Sequence, residues 1–212
     1  MSGLFITMEG TDGSGKSTQI NMLKEYLEKK GYDVVFVREP GGTKIGEKIR
    51  EIILDKENEE MDYMTEALLY ASSRAQLVNE IILPALKNGS IVLCDRFVDS
   101  SIVYQGIARN LGEDIIAKIN YIATDGLKPD ITIFLNLSPE KAIERKKEQK
   151  ELDRLERENQ YFYNQVYYGY KKLAKKYSKR IKMIDASKDI ETVYNNIILE
   201  IENLIYKGGE IK

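Results

Sequence analysis

Leu4-Phe5-Ile6-Thr7-Met8, then Glu9, then Gly10-Thr11-Asp12-Gly13-Ser14-Gly15-Lys16-Ser17: an apolar run breaks into a glycine-rich octet. From Lys16 to about Lys30 the chain reads as a helix, which Gly31 stops. The octet fits Gly-x-x-x-x-Gly-Lys-Ser/Thr, and a place between strand and helix is the context that pattern needs. Glycines let successive backbone N–H groups turn inward around phosphate oxygens, and the helix N-terminus adds partial positive charge. Lys16, read as an exposed loop lysine, is in reach of β- and γ-phosphates, and the Ser17 hydroxyl is in reach of Mg²⁺. The expected ATP-binding residues are therefore Gly10, Thr11, Asp12, Gly13, Ser14, Gly15, Lys16, Ser17 and Thr18. A chance match in a chain of 212 residues is on the order of one in a hundred.

Outward from that octet, apolar runs of strand length alternate with helical patterns. Val34 to Val37, Ile91 to Cys94, Ile131 to Leu137 and Arg180 to Ile184 join Leu4 to Met8 as five strands. Long helical patterns cover about Asp62 to Lys87, ended by Asn88-Gly89, and about Ile190 to Ile205. Near-continuous apolar strands separated by helices indicate a parallel sheet covered on both faces, a three-layer α/β/α domain. Ligands in such folds bind at the carboxyl ends of the strands, which here begin segments at Glu9, Arg38, Asp95, Asn136 and Asp185. No low-complexity linker or internal repeat divides the chain, so 1–212 is expected to form one domain.

Composition excludes several function classes. The chain has no histidine, which removes Ser-His-Asp triads, Cys-His dyads and histidine metal sites. Cys94 is the single cysteine and lies in an apolar run; a disulfide framework is impossible, and a reducing, cytoplasmic setting is expected. The amino-terminal stretch has no basic n-region with a long apolar h-region, and no apolar run approaches the roughly 18 residues of a membrane span. Lys+Arg number 32 against 34 Asp+Glu, a net charge of −2, so an anionic ligand must be held by local clusters and no nucleic-acid partner is expected. Within P-loop proteins, no Asn-Lys-x-Asp tetrapeptide reads guanine, and Thr18 stands where a dinucleotide fold needs its third glycine.

Further blocks follow the strand ends. Arg38-Glu39-Pro40-Gly41-Gly42-Thr43 precedes Ile45-Gly46-Glu47 and Arg50; Leu68-Leu69-Tyr70-Ala71-Ser72-Ser73-Arg74-Ala75-Gln76 lies in the long helical stretch. Asp95-Arg96-Phe97-Val98-Asp99-Ser100-Ser101 is followed by Tyr104-Gln105-Gly106, and Pro129-Asp130, Leu152-Asp153-Arg154 and Asp185-Ala186-Ser187 come later. In order and spacing over essentially the whole chain, these blocks resemble the thymidylate kinase family, whose members convert dTMP and ATP to dTDP and ADP. The resemblance implies a P-loop kinase fold with a short lid over about 140–155, Mg²⁺ with ATP, and a homodimer packed through helices. A kinase for another nucleotide or nucleoside, or a P-loop ATP-binding regulator, are the alternatives.

Chemistry and resemblance together nominate an acceptor site. Arg38, Arg50, Arg74 and Arg96 fall where a second phosphate approaches the P-loop, and guanidinium forks suit phosphate. Tyr70 and Arg74 are four residues apart and share a helix face. The resemblance implies that Tyr70 stacks on thymine, Arg74 contacts base or phosphate, and Ser101 and Gln105 lie near the thymine polar edge. It further implies that Tyr104 screens the sugar 2′ position and Asp12 lies near the 3′-hydroxyl. Asp95 ends an apolar strand and reads as a carboxylate for Mg²⁺ beside Ser17, or as the partner of Arg96 or Lys16. Gly13 occupies the position where one branch of the family carries a P-loop arginine. The resemblance therefore seeks the cation for the transferring phosphoryl group in the lid, in Arg145 first and Lys147 second, with Arg154 and Arg157 as further candidates. Lys16, Asp95, Arg96, Arg145 and Lys147 are the expected catalytic set.

Overall fold

The computed structural model describes residues 3–146, 154–155 and 157–207, without the side chains of Ile143, Lys146 and Lys207. Five strands, β1 (Leu4–Glu9), β2 (Val34–Arg38), β3 (Ile91–Asp95), β4 (Ile131–Asn136) and β5 (Ile181–Asp185), form one parallel sheet in the order β2-β3-β1-β4-β5. This matches the expected α/β sheet. Strands β1, β2 and β3 each run one residue further than the apolar pattern, and the added residues are Glu9, Arg38 and Asp95. Met8 and Arg38 both pair with Asp95, so the register sets these strand ends in one row.

Alternation along β1 supplies both faces. Leu4, Ile6 and Met8 pack with Ile20, Leu23 and Leu27 of α1 (Lys16–Lys29) and with Val193, Ile197 and Ile201 of α9 (Ile190–Lys207). Phe5 points the other way, into Val37, Val92, Cys94 and Phe97, beneath Leu77, Val78 and Ile82. Phe134 of β4 extends that face under α8 (Gln160–Lys176), through Phe162, Val166 and Tyr170. Cys94 is buried there, and burial pushes its thiol pKa up, as for an inert core hydrophobe.

The long helical stretch is not one regular helix. It is α3 (Tyr63–Leu77), a π-helical turn (Val78–Ile82) and α4 (Leu83–Lys87). Pro84 has no N–H to give to a carbonyl in the preceding turn, and the wider π register absorbs that loss. α2 (Lys44–Leu54) starts with the Thr43 hydroxyl accepting from the Gly46 N–H at 2.9 Å. After β3 come α5 (Val98–Ser101), a second π-helical turn (Ile102–Ala108) and α6 (Glu113–Thr124); α7 (Pro139–Lys146) follows β4. No helix of the described residues is long and apolar enough to cross a membrane.

Candidate active site

Glycine geometry shapes the loop after β1. At Gly10, φ is +147°, and a Cβ would meet the Ser14 hydroxyl at 2.9 Å and the Leu135 carbonyl at 3.0 Å. Gly15, with φ +94°, turns the chain into α1. Lys16 is not exposed as expected: its Nζ donates to the carbonyls of Gly10 at 3.1 Å and Thr11 at 3.2 Å, and it is 6% accessible. The Asp12 carboxylate stands 3.7 Å from the same ammonium. Burial, reinforced by the Arg96 guanidinium, lowers its pKa from the ordinary lysine value.

A cleft of about 410 Å³ opens over this loop, lined by Ser17, Thr18, Arg38, Asp95, Arg96 and Arg145 among others. Beyond Gly13 and Thr18 a second opening of about 370 Å³ runs toward Lys188, Asp189 and Ile190, with Arg145 again on its wall. Arg145 sits in α7 and donates through Nη2 to the Ala186 carbonyl at 3.1 Å. Lys147 lies outside the described residues. Arg154 and Arg157 line none of these openings. Arg154 donates to Glu66 at 2.6 Å and to the Ile53 carbonyl at 2.9 Å, and Arg157 pairs with Glu59 at 3.1 Å on the surface. Both carboxylates are remote in sequence, and the Arg157 pair is solvent-exposed.

Asp95 is a half-buried carboxylate of the cleft. Its Oδ1 has no hydrogen-bond partner, and among the described residues it forms no ion pair with Lys16 or Arg96. Its charge nonetheless acts on both cations, favouring the charged forms of Lys16 and Arg96. Ser17 is exposed to the same cleft.

The third opening, about 190 Å³, is more enclosed by side chains from several elements. Asp12, Arg50, Tyr70, Arg74, Arg96, Ser101, Tyr104 and Gln105 all line it, which are the expected acceptor residues except Arg38. Arg38 instead faces the P-loop cleft, donating to Glu47 at 2.9 Å and to the Pro40 carbonyl at 2.8 Å. Arg50 donates to the same carbonyl at 3.1 Å. Asp12, Glu39, Arg50 and Arg96 line both this cavity and the cleft, so the two spaces meet at these four side chains.

Arg96 is positioned by backbone strain. Its φ of +67° is unusual for a side chain of that size, and it throws the guanidinium back onto the P-loop. There Nη1 donates to the Gly10 carbonyl at 2.7 Å and Nη2 to Asp12 at 2.6 Å, with the Tyr104 ring 5.6 Å away. Arg74 lines the cavity as expected. It donates to both Glu39 oxygens, to the Ser101 hydroxyl at 3.0 Å, to Asn120 and to the Phe97 carbonyl. With all five donors met inside the protein and 1% accessibility, it is also a pillar of the cavity wall.

Glu39 was legible only as part of a motif, Glu9 only as the residue that ends the first strand, and Glu66, Asn120, Leu155 and Tyr163 had no local signal at all. Glu9 accepts from the Phe97 N–H at 2.8 Å, the Ser100 N–H and hydroxyl, and the Tyr170 hydroxyl at 2.9 Å. Burial, with the Asp99 charge second, raises its pKa to about 7. Tyr104 and Gln105 stand on the π-helical turn, a distortion that recurs at functional sites.

Comparison with known proteins falls on this same arrangement. The thymidylate kinase family model matches residues 8–197, from the end of β1 into α9. The chain belongs to the thymidylate kinase family. It is 54% identical to the thymidylate kinase of Thermoanaerobacter sp. (strain X514) over 198 residues, covering 93% of this chain and 97% of that protein. With the thymidylate kinase of Caldanaerobacter subterraneus subsp. tengcongensis the identity is 49% over 211 residues, the whole of both chains. The crystal structure of thymidylate kinase from Ehrlichia chaffeensis superposes with a TM-score of 0.77 at 33% identity, covering 95% of this chain and 99% of that one. Family membership makes this chain a P-loop kinase, and the three-layer sheet is the family's fold.

Proposed function

We propose that the chain transfers the γ-phosphoryl group of ATP to dTMP, giving dTDP and ADP by direct in-line displacement. The observation that carries this reading is the meeting of the phosphate cleft and the enclosed cavity at Asp12, Glu39, Arg50 and Arg96. A donor and an acceptor phosphate held in those two spaces face each other, and phosphoryl transfer needs alignment and charge neutralisation more than covalent chemistry. In this reading the loop from Gly10 to Thr18 cradles the ATP phosphates and Lys16 swings from its carbonyl acceptors onto them. Arg96, with Arg50, receives the acceptor phosphate. Tyr70 stacks on the base, Ser101 and Gln105 read its edge, Tyr104 screens the sugar, and Asp12 takes the 3′-hydroxyl. Arg38 supports the phosphate side through Pro40 and Glu47.

Mg²⁺ suits the cleft chemically. Ser17 offers a hydroxyl and Asp95 a buried oxygen with no hydrogen-bond partner, a hard oxygen set of the kind that cation prefers. Bound with ATP, the cation neutralises charge on the phosphate oxygens. The chain acts in this reading as one domain over 1–212, since the described helices pack on a single sheet or on one another. A homodimer is part of it: Ile45 and Ile52 on α2, Leu68 on α3 and Ile122 on α6 leave apolar side chains exposed on neighbouring helices. The reduced, buried Cys94 thiol supports a cytoplasmic setting.

A coupled assay with ATP, Mg²⁺ and a panel of nucleoside monophosphates tests the reading. dTMP should be the preferred acceptor. dUMP, lacking one methyl, should fall by about 10- to 200-fold in kcat/KM, the range one methyl group is worth in an apolar pocket. Preferred turnover of another monophosphate moves the assignment to that nucleotide, and ATP binding without any acceptor leaves a regulator.

A further inference from the structure

A fourth opening, about 310 Å³, lies between α5, α6, the turn that precedes β4 and the residues that lead into β5. Among the described residues it shares no lining side chain with the P-loop cleft, the opening beyond it or the acceptor cavity. Small-molecule pockets start at about 300 Å³ and are mostly apolar with a few placed polar groups. Here Ile102, Leu127, Tyr121 and Tyr177 supply the apolar lining, and Arg180 and Lys128 the cations. Arg180 meets Asp99 end-on: Nη1 donates to Oδ2 at 2.7 Å and Nη2 to Oδ1 at 2.8 Å. The other Nη1 hydrogen goes to the Thr132 hydroxyl at 2.6 Å. A guanidinium carries five N–H donors. Among the described residues no acceptor meets the Nε hydrogen or the second Nη2 hydrogen. Those two lie side by side, so Arg180 keeps a second parallel pair, the fork that holds a carboxylate bidentately. Asp99 is 1% accessible and spends both oxygens on the first pair. The Tyr177 ring stands beside the same guanidinium, 5.7 Å from its Cζ, so a ring carried by the anion meets an aromatic wall there.

We propose that this opening binds a small aromatic carboxylate, its oxygens on the second Arg180 pair near Lys128 and its ring against Tyr121 and Tyr177. Arg180 and Lys128 against Asp99 leave one net positive charge, which a carboxylate matches and a phosphate dianion exceeds. The probe is indole-3-carboxylate, titrated into the full chain and followed by NMR of the protein. One saturable site with a Kd of about 1 mM or tighter is expected, and no binding at about 10 mM overturns the proposal. Affinity should be unchanged with dTMP and ADP both present at saturation. Displacement by either nucleotide puts the acid in another space and overturns the site. Indole-3-carboxamide, which has no charge, should bind at least about tenfold more weakly, and equal binding overturns the fork. Arg180→Lys keeps a cation beside Asp99 but removes the second pair, and should weaken the acid by at least about tenfold. Should that variant not fold, Lys128→Glu on the exposed rim decides, with an expected loss of at least about fivefold. An unchanged Kd in the folded variant overturns the proposal.

Discussion

Arg74 and Glu39 meet as a buried fork: Arg74 Nε lies 3.0 and 2.8 Å from the two Glu39 oxygens, Nη2 also bonds one of them, and both side chains are shielded from solvent. Glu39 follows β2 and Arg74 belongs to α3, so the pair ties the Arg38–Gly42 turn to the helix that carries Tyr70. Removing one partner leaves a buried charge uncompensated, which costs about 3–5 kcal/mol. Arg74→Ala should therefore lower Tm by on the order of 10 °C, followed by circular dichroism. Replacing both residues by apolar ones of similar volume should restore much of that loss. A single variant that melts within about 2 °C of the wild type would show that the fork does not support the wall.

Lys16 donates to its own loop at Gly10 and Thr11, so its loss should spare the fold and strike the chemistry. For Lys16→Ala, kcat with dTMP should fall by at least about a hundredfold, the scale on which one preorganised donor to a charged transition state acts. Wild-type turnover in this variant would remove the phosphate assignment of the whole loop.

Glu9 supplies a pH test, because its pKa is raised to about 7, by burial first and the Asp99 charge second. The Phe97 N–H is one of its donors and Arg96 precedes Phe97, so ionised Glu9 anchors the strained turn that aims Arg96. kcat/KM for dTMP should accordingly decline as pH falls through about 7, and Glu9→Gln should remove that step from the profile. Stability follows the opposite sign. A carboxyl whose folded pKa lies above its ordinary value of 4.5 binds its proton more tightly when folded. Its stabilising contribution is complete below about pH 4.5 and is lost as pH rises through about 7. Melting curves at pH 5 and pH 8 should thus separate more for the wild type than for Glu9→Gln. Superimposable pH profiles of the two proteins would dismiss Glu9 as the titrating group.

The sheet was legible because β1, β3 and β4 are buried on both faces and read as near-continuous apolar runs, interrupted by Thr7 and Thr132. Their polar last residues, Glu9, Asp95 and Asn136, carry no such pattern, so the strand ends were set short or uneven. Most acceptor residues were legible as blocks because each block follows one strand or occupies one helix face. The support behind them was not. Glu66 meets Arg109 and Arg154 across 43 and 88 residues of chain, and no local periodicity encodes such a pairing. The part of Arg74 as a pillar was hidden for the same reason: its partner Glu39 is 35 residues away, and an arginine facing a P-loop looks alike whether or not a buried carboxylate also holds it. The π-helical turn under Tyr104 and Gln105 shifts a side chain by one position in the donor ladder, too little to disturb a hydrophobic pattern.

Arg145 and Arg96 both line the P-loop cleft, but Arg145 also lines the opening by Lys188 and Arg96 the enclosed cavity, so their substitution should separate two functions. With Gly13 in the loop, the developing charge on the transferring phosphoryl group needs a donor from elsewhere, and a positioned arginine is worth about 10³–10⁵ in rate in related chemistry. Arg145 stands beside Gly13 and Gly15, tethered among the described residues to the Ala186 carbonyl, a contact it can exchange for a phosphate oxygen. Arg145→Ala should lower kcat by about 10³-fold or more while leaving the KM for dTMP nearly unchanged. Arg96 is bound to Gly10 and Asp12 on the acceptor side, so Arg96→Ala should chiefly raise the KM for dTMP. Each substitution removes one positive charge from the same cleft, so a general loss of field predicts equal effects and the contrast rules on it. If Arg145→Ala keeps its kcat and Lys147→Ala loses it, the cation belongs to the lid but to the other residue. If neither matters, α7 is a solvated helix. The transition-state charge must then be sought in Lys16, or in Arg154 and Arg157, which here pair with Glu66 and Glu59.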